Sequence, residues 1–519
     1  MAMCIIRAAS TPLQKLLAVL TDGLHPAAMR AHYPTIDSHR SLHLRHTSTT
    51  EHTRRQCIAA GNLSALTSLR LSSPNGSALN LRDGSFSTFG HLKNLQSLSM
   101  PNAGLRRKGA VDLSPCLATL PALHNLDLSS NGIDSTAGRA LSMHLANLSS
   151  LSELNLTANS IRSEGLVSLM SALSHMPSMR VLRIGSNNIG ADGVSGTAPH
   201  VAAMPWLTYL DLHSNRVTFS GAVLASQLGS LRNVQELLLQ SNEIGSDGAK
   251  ALAPQLKTLT ALRSLNLSYN DISADGIAVL APEIAGHPNL HTLVLGCNDV
   301  CAEGAAALAP CISTLPKLEC LDLHTAYIGP EGGKSLAQHL SMATALTALH
   351  LGHNDIENSG MRWLAPALLK LTQLRMLNLC SNGMGSYGAT ALCSSLRMLT
   401  NLETLDLERN GIGDDGAKAL SQHLTAMRSL GTLDLGANCI GPDGMCKLAP
   451  QFRSMTALRV LRLWHNNFGD TGAKALAVHL GAMPALRQVF LNAKDIGHAA
   501  GISYLEQEAL PSLKLTIYR

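Results

Sequence analysis

The feature that most constrains this chain is a period. From residue 123 onward the string Leu-x-x-Leu-x-Leu-x-x-Asn recurs, as at Leu123/Leu126/Leu128/Asn131, Leu262/Leu265/Leu267/Asn270 and Leu402/Leu405/Leu407/Asn410. The asparagines stand at 131, 159, 187, 215, 242, 270, 298, 354, 382, 410, 438 and 466. They are 28 residues apart except for one step of 27 (215 to 242) and one double step of 56, where Ala326 holds the Asn place. Weaker copies begin at Leu66, Leu95 and Leu486, giving sixteen units, and Leu510, Leu513 and Leu515 fit a final truncated strand. A phase kept over so much chain predicts a stack of like units, not the separate domains that 519 residues usually form.

Each part of the unit has a physical reading. Alternation across Leu126 and Leu128 has period two, so this stretch is a short strand with one buried face. Two residues after the Asn comes a second apolar place (Ile133, Ile161, Ile189, Val217, Ile244), and six after it a glycine from Gly165 to Gly472. Glu164, Asp192, Asp247, Asp415 and Asp443 directly precede such glycines, which suits a helix N-cap or first turn. Apolar residues then follow at helical spacing, as in Leu420, Leu424 and Met427. One strand–turn–helix unit cannot bury its own apolar stripe, whereas a stack of them can. Helices take more room than strands, so the stack is expected to curve with its sheet inside. The Asn lies where the chain leaves the strand, and its amide is expected to bond otherwise orphaned backbone groups in a ladder.

Residues 402–420 (LETLDLERNGIGDDGAKAL) and 430–448 (LGTLDLGANCIGPDGMCKL) resemble the leucine-rich repeat of the ribonuclease-inhibitor type. The resemblance covers about residues 66–519. It implies an α/β solenoid, a horseshoe of about sixteen repeats with a parallel sheet on the concave face and helices on the convex face. The same subtype is found in nuclease inhibitors, NOD-like receptors and GTPase-activating proteins of the Ran type. The alternation of Cys-type and Asn-type repeats seen in ribonuclease inhibitors is missing here.

The domain reading is a non-repeat segment, 1–57, followed by a repeat array over 58–519 with degenerate capping repeats at both ends. Residues 1–57 hold six of the 22 histidines, and 11–24 (TPLQKLLAVLTDGL) fits a short helix ahead of a disordered basic leader. An organelle transit peptide is the alternative, with Asp22 against it. Pro12-Leu13 and the GAKALA strings at 248–253 and 472–477 also resemble F-box adaptors, but no recognisable F-box follows. Of the net charge of +5, residues 1–60 supply +4, with seven Lys/Arg against three acids. The rest is almost neutral and offers no basic stripe for nucleic acid. No apolar run approaches the ~18 residues of a membrane span. Eleven cysteines, an odd number without paired spacing, read as reduced residues of a cytoplasmic or nuclear monomer.

Three constellations resemble chemical sites. Gly329-Pro-Glu-Gly-Gly333-Lys334-Ser335 lacks the first glycine of a nucleotide-binding loop, because Ile328 stands there, and it matches the ordinary turn-to-helix segment. Cys297, Cys301, Cys311 and Cys320 fall on different faces of their repeats, so no tetrahedral set forms. Asp322, His324, His350 and His353 lie on neighbouring strands and face the same way, as polar residues of such a sheet ordinarily do. No G-x-S-x-G elbow follows a strand. The expectation is a protein without catalytic residues, cofactor or metal, and not an enzyme.

Numbering the repeat from its first leucine, the leucines at places one, four and six point to the core, and places three, five, seven and eight form a polar wall. Most wall residues are small, as at Ser264, Asn266 and Ser268. Larger ones stand out: Tyr209, Asp211 and His213; Glu408 and Arg409; and Arg462, Trp464, His465 and Phe490. Trp, Tyr and Arg are the side chains that most often anchor interfaces, so these nine are the candidate residues for binding a protein partner. The leading reading is a non-enzymatic protein-interaction scaffold. One alternative is GTPase activation of the Ran type, with a small GTPase as partner. The nearest counterpart of that family's Thr-Gly-Arg segment is Ala137-Gly138-Arg139, and the chain ends Lys514-Leu-Thr-Ile-Tyr-Arg519 without an acidic tail. The other is a regulatory sensor related to NOD-like receptors, which would need a nucleotide-binding domain.

Overall fold

The computed structural model describes residues 41–45, 66–72, 85–218, 223–497, 499–508 and 513–518. The helix expected over 11–24 lies outside them. Described residues up to Ile244, with Pro254–Leu262, form one compact unit, and Gly245–Ala253 with residues from Arg263 onward form the other. The first unit carries eight strands, from Ser41–Arg45 to Glu236–Leu238, and the second ten, from Ser264–Asn266 to Lys514–Tyr518. Within each unit the strands pair in parallel with their sequence neighbours, like place against like place: Leu126 opposite Leu154 in the first, Leu405 opposite Leu433 in the second. Ser41–Arg45, inside the segment expected to stand apart from the repeats, is a strand paired in parallel with Ser68–Ser72. At the other end Lys514–Tyr518 pairs with Gln488–Asn492 and sets Leu515 opposite Val489 at place four, two places from where the Leu510/Leu513/Leu515 spacing put it; Leu510 lies outside the described residues.

Most strands are three residues long, places three to five, and the leucines at places one, four and six seal them to the helices. Leu402, Leu405 and Leu407 are fully buried, as are Ile412, Ala417 and Leu420 from the turn and helix of the same repeat. Each such leucine contributes roughly 1.5–3 kcal/mol by leaving water. The acids ahead of the conserved-phase glycine lie in the first helical turn, as Asp415 does in the helix Gly413–Ser421, where they complement the helix dipole. A side-chain N-cap occurs at Asp134, whose Oδ1 accepts the Ala137 N–H at 3.0 Å. The glycine itself answers to helix spacing: a Cβ on Gly416 would lie 3.2 Å from the Ser386 backbone of the preceding helix.

The Asn places form the expected ladder. Asn410 Nδ2 donates to the Leu379, Leu407 and Glu408 carbonyls at 2.8, 3.0 and 3.1 Å, and its Oδ1 accepts the Asn382 N–H at 3.1 Å. One amide thus serves two successive turns where no regular ladder reaches them. Ala326 interrupts the series, yet its own N–H is still taken by Asn354 Oδ1 at 2.9 Å. Among the described residues no helix is long and apolar enough to cross a membrane.

Candidate functional site

Wall residues at place five carry out backbone work first. The amide at place seven lies between ladder bonds made at places six and eight, and the place-five side chain accepts it: Gly436 N–H to Asp434 Oδ1 at 2.9 Å, Glu408 N–H to Asp406 at 3.1 Å, Cys380 N–H to Asn378 at 2.9 Å. Asp and Asn serve equally here, since each offers a carbonyl-type oxygen two residues back. At place seven, three large side chains lie back over a glycine at the same place one repeat earlier, whereas Gln240 follows His213 and Glu408 follows Cys380. A Cβ on Gly185 would meet the His213 ring at 2.1 Å, one on Gly296 the His324 ring at 2.3 Å, and one on Gly436 the Trp464 indole at 2.5 Å.

In the first unit the wall gathers Tyr209, His213 and two residues that sequence reading passed over, Arg183 and Ser186. The Arg183 guanidinium sits 4.5 Å above the Tyr209 ring and 3.9 Å from Glu153. Burial, with the Asp211 charge nearby, raises the Tyr209 hydroxyl above its ordinary range. Asp211 is 5% exposed, so it is no free contact residue. It underlies His213, whose Nδ1 is 2.6 Å from Asp211 Oδ1 and whose Nε2 is 3.2 Å from Ser186 Oγ. The Asp211 hydrogen bond raises the His213 pKa. Lower-numbered strands of this unit line an open polar cleft that includes Arg70, Asn125, Asp127, Glu153 and Arg183.

In the second unit Arg462, Trp464, His465 and Phe490 come together. The Arg462 guanidinium lies 5.5 Å over the Phe490 ring and 3.6 Å from Asp434. Phe490 stacks in turn on Tyr518, centroids 6.4 Å apart at 14°. Trp464 is half-buried against His465 at 5.2 Å, and its indole Nε1 is buried without a hydrogen-bond partner. Glu408 and exposed Arg409 pair with each other at 3.3 Å. Behind them Asp406, Glu408 and Asp434 bring carboxylate oxygens within 4.8 Å of one another, among the described residues the only such group of three. Burial raises Asp406, and burial with the Asp406 charge pushes Asp434 up to about 6, against the opposing pull of Gly436 N–H and Arg462. Three crowded acids beside two guanidiniums, Arg462 and Arg409, leave a floor with one acid in excess under an aromatic rim.

The remaining sequence constellations are also placed. Gly329 to Ser335 open the helix Gly329–Leu340. Cys311 is buried whereas Cys297 and Cys301 are half-exposed. Asp322 and His324 pair at 2.7 Å, and with His350 and His353 they form no group of three converging ligands among the described residues. Arg139 sits within the helix Ser135–Leu145, paired to Glu164 at 3.1 Å.

Known family models agree with this architecture. A model described as "Leucine-rich repeat region" matches residues 248–502, and one described as "Leucine Rich repeat" matches 120–142, 147–170, 175–196 and 230–253. The chain belongs to the leucine-rich repeat proteins, which generally mediate protein–protein interactions. No curated protein matches the sequence. Among solved structures, an internalin (inlF) of Listeria monocytogenes is 18% identical with a TM-score of 0.40, over 85% of this chain and 90% of that one. A TLR13–ssRNA13 complex is 17% identical with a TM-score of 0.44, over 88% of this chain and 65% of that one.

Proposed function

We propose that the protein is a non-enzymatic interaction scaffold of the ribonuclease-inhibitor-type repeat subtype, binding a protein partner through the wall of its strands. A preformed wall loses little conformational entropy on binding. The anchor is the Arg462–Trp464–Phe490 cluster. The observation that carries this reading is the half-buried Trp464 indole two residues after Arg462, whose guanidinium lies over the Phe490 ring. The exposed part of the indole loses water to any apolar neighbour, while its Nε1 is sealed over Gly436 and takes no part in the contact. The acid floor of Asp406, Glu408 and Asp434 favours a partner segment that presents a cation beside an apolar side chain. Arg409, His465, Tyr209 and His213 extend the contact surface as rim residues of their own units. Against the GTPase-activating alternative weighs the engagement of Arg139 by Glu164 on a helix.

Affinity capture with wild-type protein, quantified against a Trp464→Ala/Phe490→Ala variant, tests this. The double variant should lose captured partners by at least about tenfold, the effect of roughly 1.4 kcal/mol, while the thermal midpoint stays unchanged. Equal capture by both proteins removes the cluster from the interface. GTP hydrolysis by Ran-like GTPases that accelerates with wild-type protein but not with Arg139→Ala would replace the scaffold reading altogether.

A further inference from the structure

The register that stacks the repeats sets place eight of one repeat against place seven of the next. At one point this brings a thiol to an imidazole. Cys297 Sγ is 3.1 Å from His324 Nε2, and His324 Nδ1 is 2.7 Å from Asp322 Oδ1. Asp322 Oδ1 also accepts the His324 backbone N–H at 2.9 Å, which holds the carboxylate in place, and Gly296 leaves the space in which the ring lies. A carboxylate at Nδ1 selects the tautomer with its proton there, so the lone pair of Nε2 faces the thiol. The neighbouring Cys297 sulfur raises the Tyr269 pKa, and the Tyr269 ring packs edge-on against His324 at 6.1 Å. Tyr269 is 56% exposed and Cys297 half-buried, so the sulfur can be reached from the wall. Elsewhere burial makes thiols inert: Cys311 and Cys380 are pushed up to about 12, and Cys393 to about 11.

We propose that Cys297 is a nucleophilic thiol that exchanges with low-molecular-weight disulfides, with His324 as its base and Asp322 as the residue that orients the base. The S–H proton passes to His324 Nε2 and the thiolate attacks one sulfur of the disulfide. The S–S bond breaks, and the departing thiolate takes the proton from His324 and leaves as a thiol. Cys297 ends as a mixed disulfide; the small disulfide is the oxidant, one equivalent is consumed and there is no turnover. Attack at sulfur suits this place better than acyl transfer. A tetrahedral oxyanion needs amide donors, but the Cys297 N–H is given to the His324 carbonyl at 2.8 Å and the His324 N–H to Asp322. Ser186, His213 and Asp211 repeat the geometry in the other unit with a hydroxyl at 3.2 Å. A hydroxyl yields its proton far less readily than a thiol, so only the sulfur copy reacts with a disulfide.

The test exposes the full chain to glutathione disulfide and, separately, to iodoacetamide, and reads the modified fraction at each cysteine by peptide mass spectrometry. Cys297 should take up glutathione at least about tenfold faster than Cys439, which is exposed but has no imidazole at its sulfur. His324→Gln should slow Cys297 by about a hundredfold while Cys439 reacts as before. Unchanged uptake in His324→Gln, or wild-type Cys297 no faster than Cys439, overturns the assignment. The second comparison uses only wild-type protein and so stands even if the variant folds poorly. Fast alkylation of Cys297 without a glutathione adduct would overturn the disulfide as its reagent.

Discussion

At place five, aspartate and asparagine hold the same amide and differ only in charge, so charge there is a separate variable. Asp434 shows it most clearly. Its carboxyl is pushed up to about 6, against roughly 3.9 in an unfolded chain. The folded protein therefore binds this proton more tightly than the unfolded one. The resulting stabilisation is full below about pH 4 and is lost as the pH rises through about 6. Asp434→Asn keeps the acceptor for the Gly436 N–H and removes the titration. We expect the variant to lack a fall in unfolding free energy of about 2 kcal/mol that wild-type protein shows between pH 4 and pH 7.5. Denaturant titrations at the two pH values measure it, and parallel pH profiles for both proteins would contradict it. Nothing in the sequence around Asp434 announces the shift. The 28-residue spacing does set Asp406 and Arg462 on the strands to either side of it, but the depth of burial that raises the carboxyl is not written in that spacing.

Between elements the asparagine ladder holds consecutive turns together. Replacing Asn410 by Ala would leave the Asn382 N–H buried and unpaired, and would take one of two donors from the Leu379 and Leu407 carbonyls, which Asn382 and Asn438 still serve. An orphaned group of this kind costs about 1–3 kcal/mol, with some recovery by relaxation. Asn410→Ala should therefore lower stability by about 1–3 kcal/mol in chemical unfolding, and a loss below about 0.5 kcal/mol would show that water or shifted backbone replaces the amide. This ladder was legible in the sequence because its members recur at one phase and each needs only the covalent period to be placed. The same holds for the leucine face and for the Arg462–Phe490 neighbourhood, which share place five on adjacent strands. What was not legible is the stagger between repeats. Cys297 and His324 are 27 residues apart at different places, as are Ser186 and His213, and only coordinates show that place eight meets place seven. Tyr269 differs, since it shares place eight with Cys297, 28 residues on, and the period alone sets the two on adjacent repeats.

For the molecule as a whole, a repeat array draws its stability from each unit and its neighbours. Excision in phase should therefore be tolerated where excision out of phase is not. Deleting residues 383–410 removes one period and joins Asn382 to Gly411, as Asn410 joins it now. We expect that variant to retain cooperative unfolding and an unchanged helical content per residue by circular dichroism. Deleting 383–396 should abolish both, because it joins a strand exit to a helix end. If the two deletions behave alike, nearest-neighbour stacking is not what holds this region. The glycines beneath His213, His324 and Trp464 add a constraint of another kind. At these three points the bulky side chain fills room that its counterpart one coil upstream has ceded, so reverting that glycine evicts the occupant and each such specificity rests on two codons twenty-eight apart.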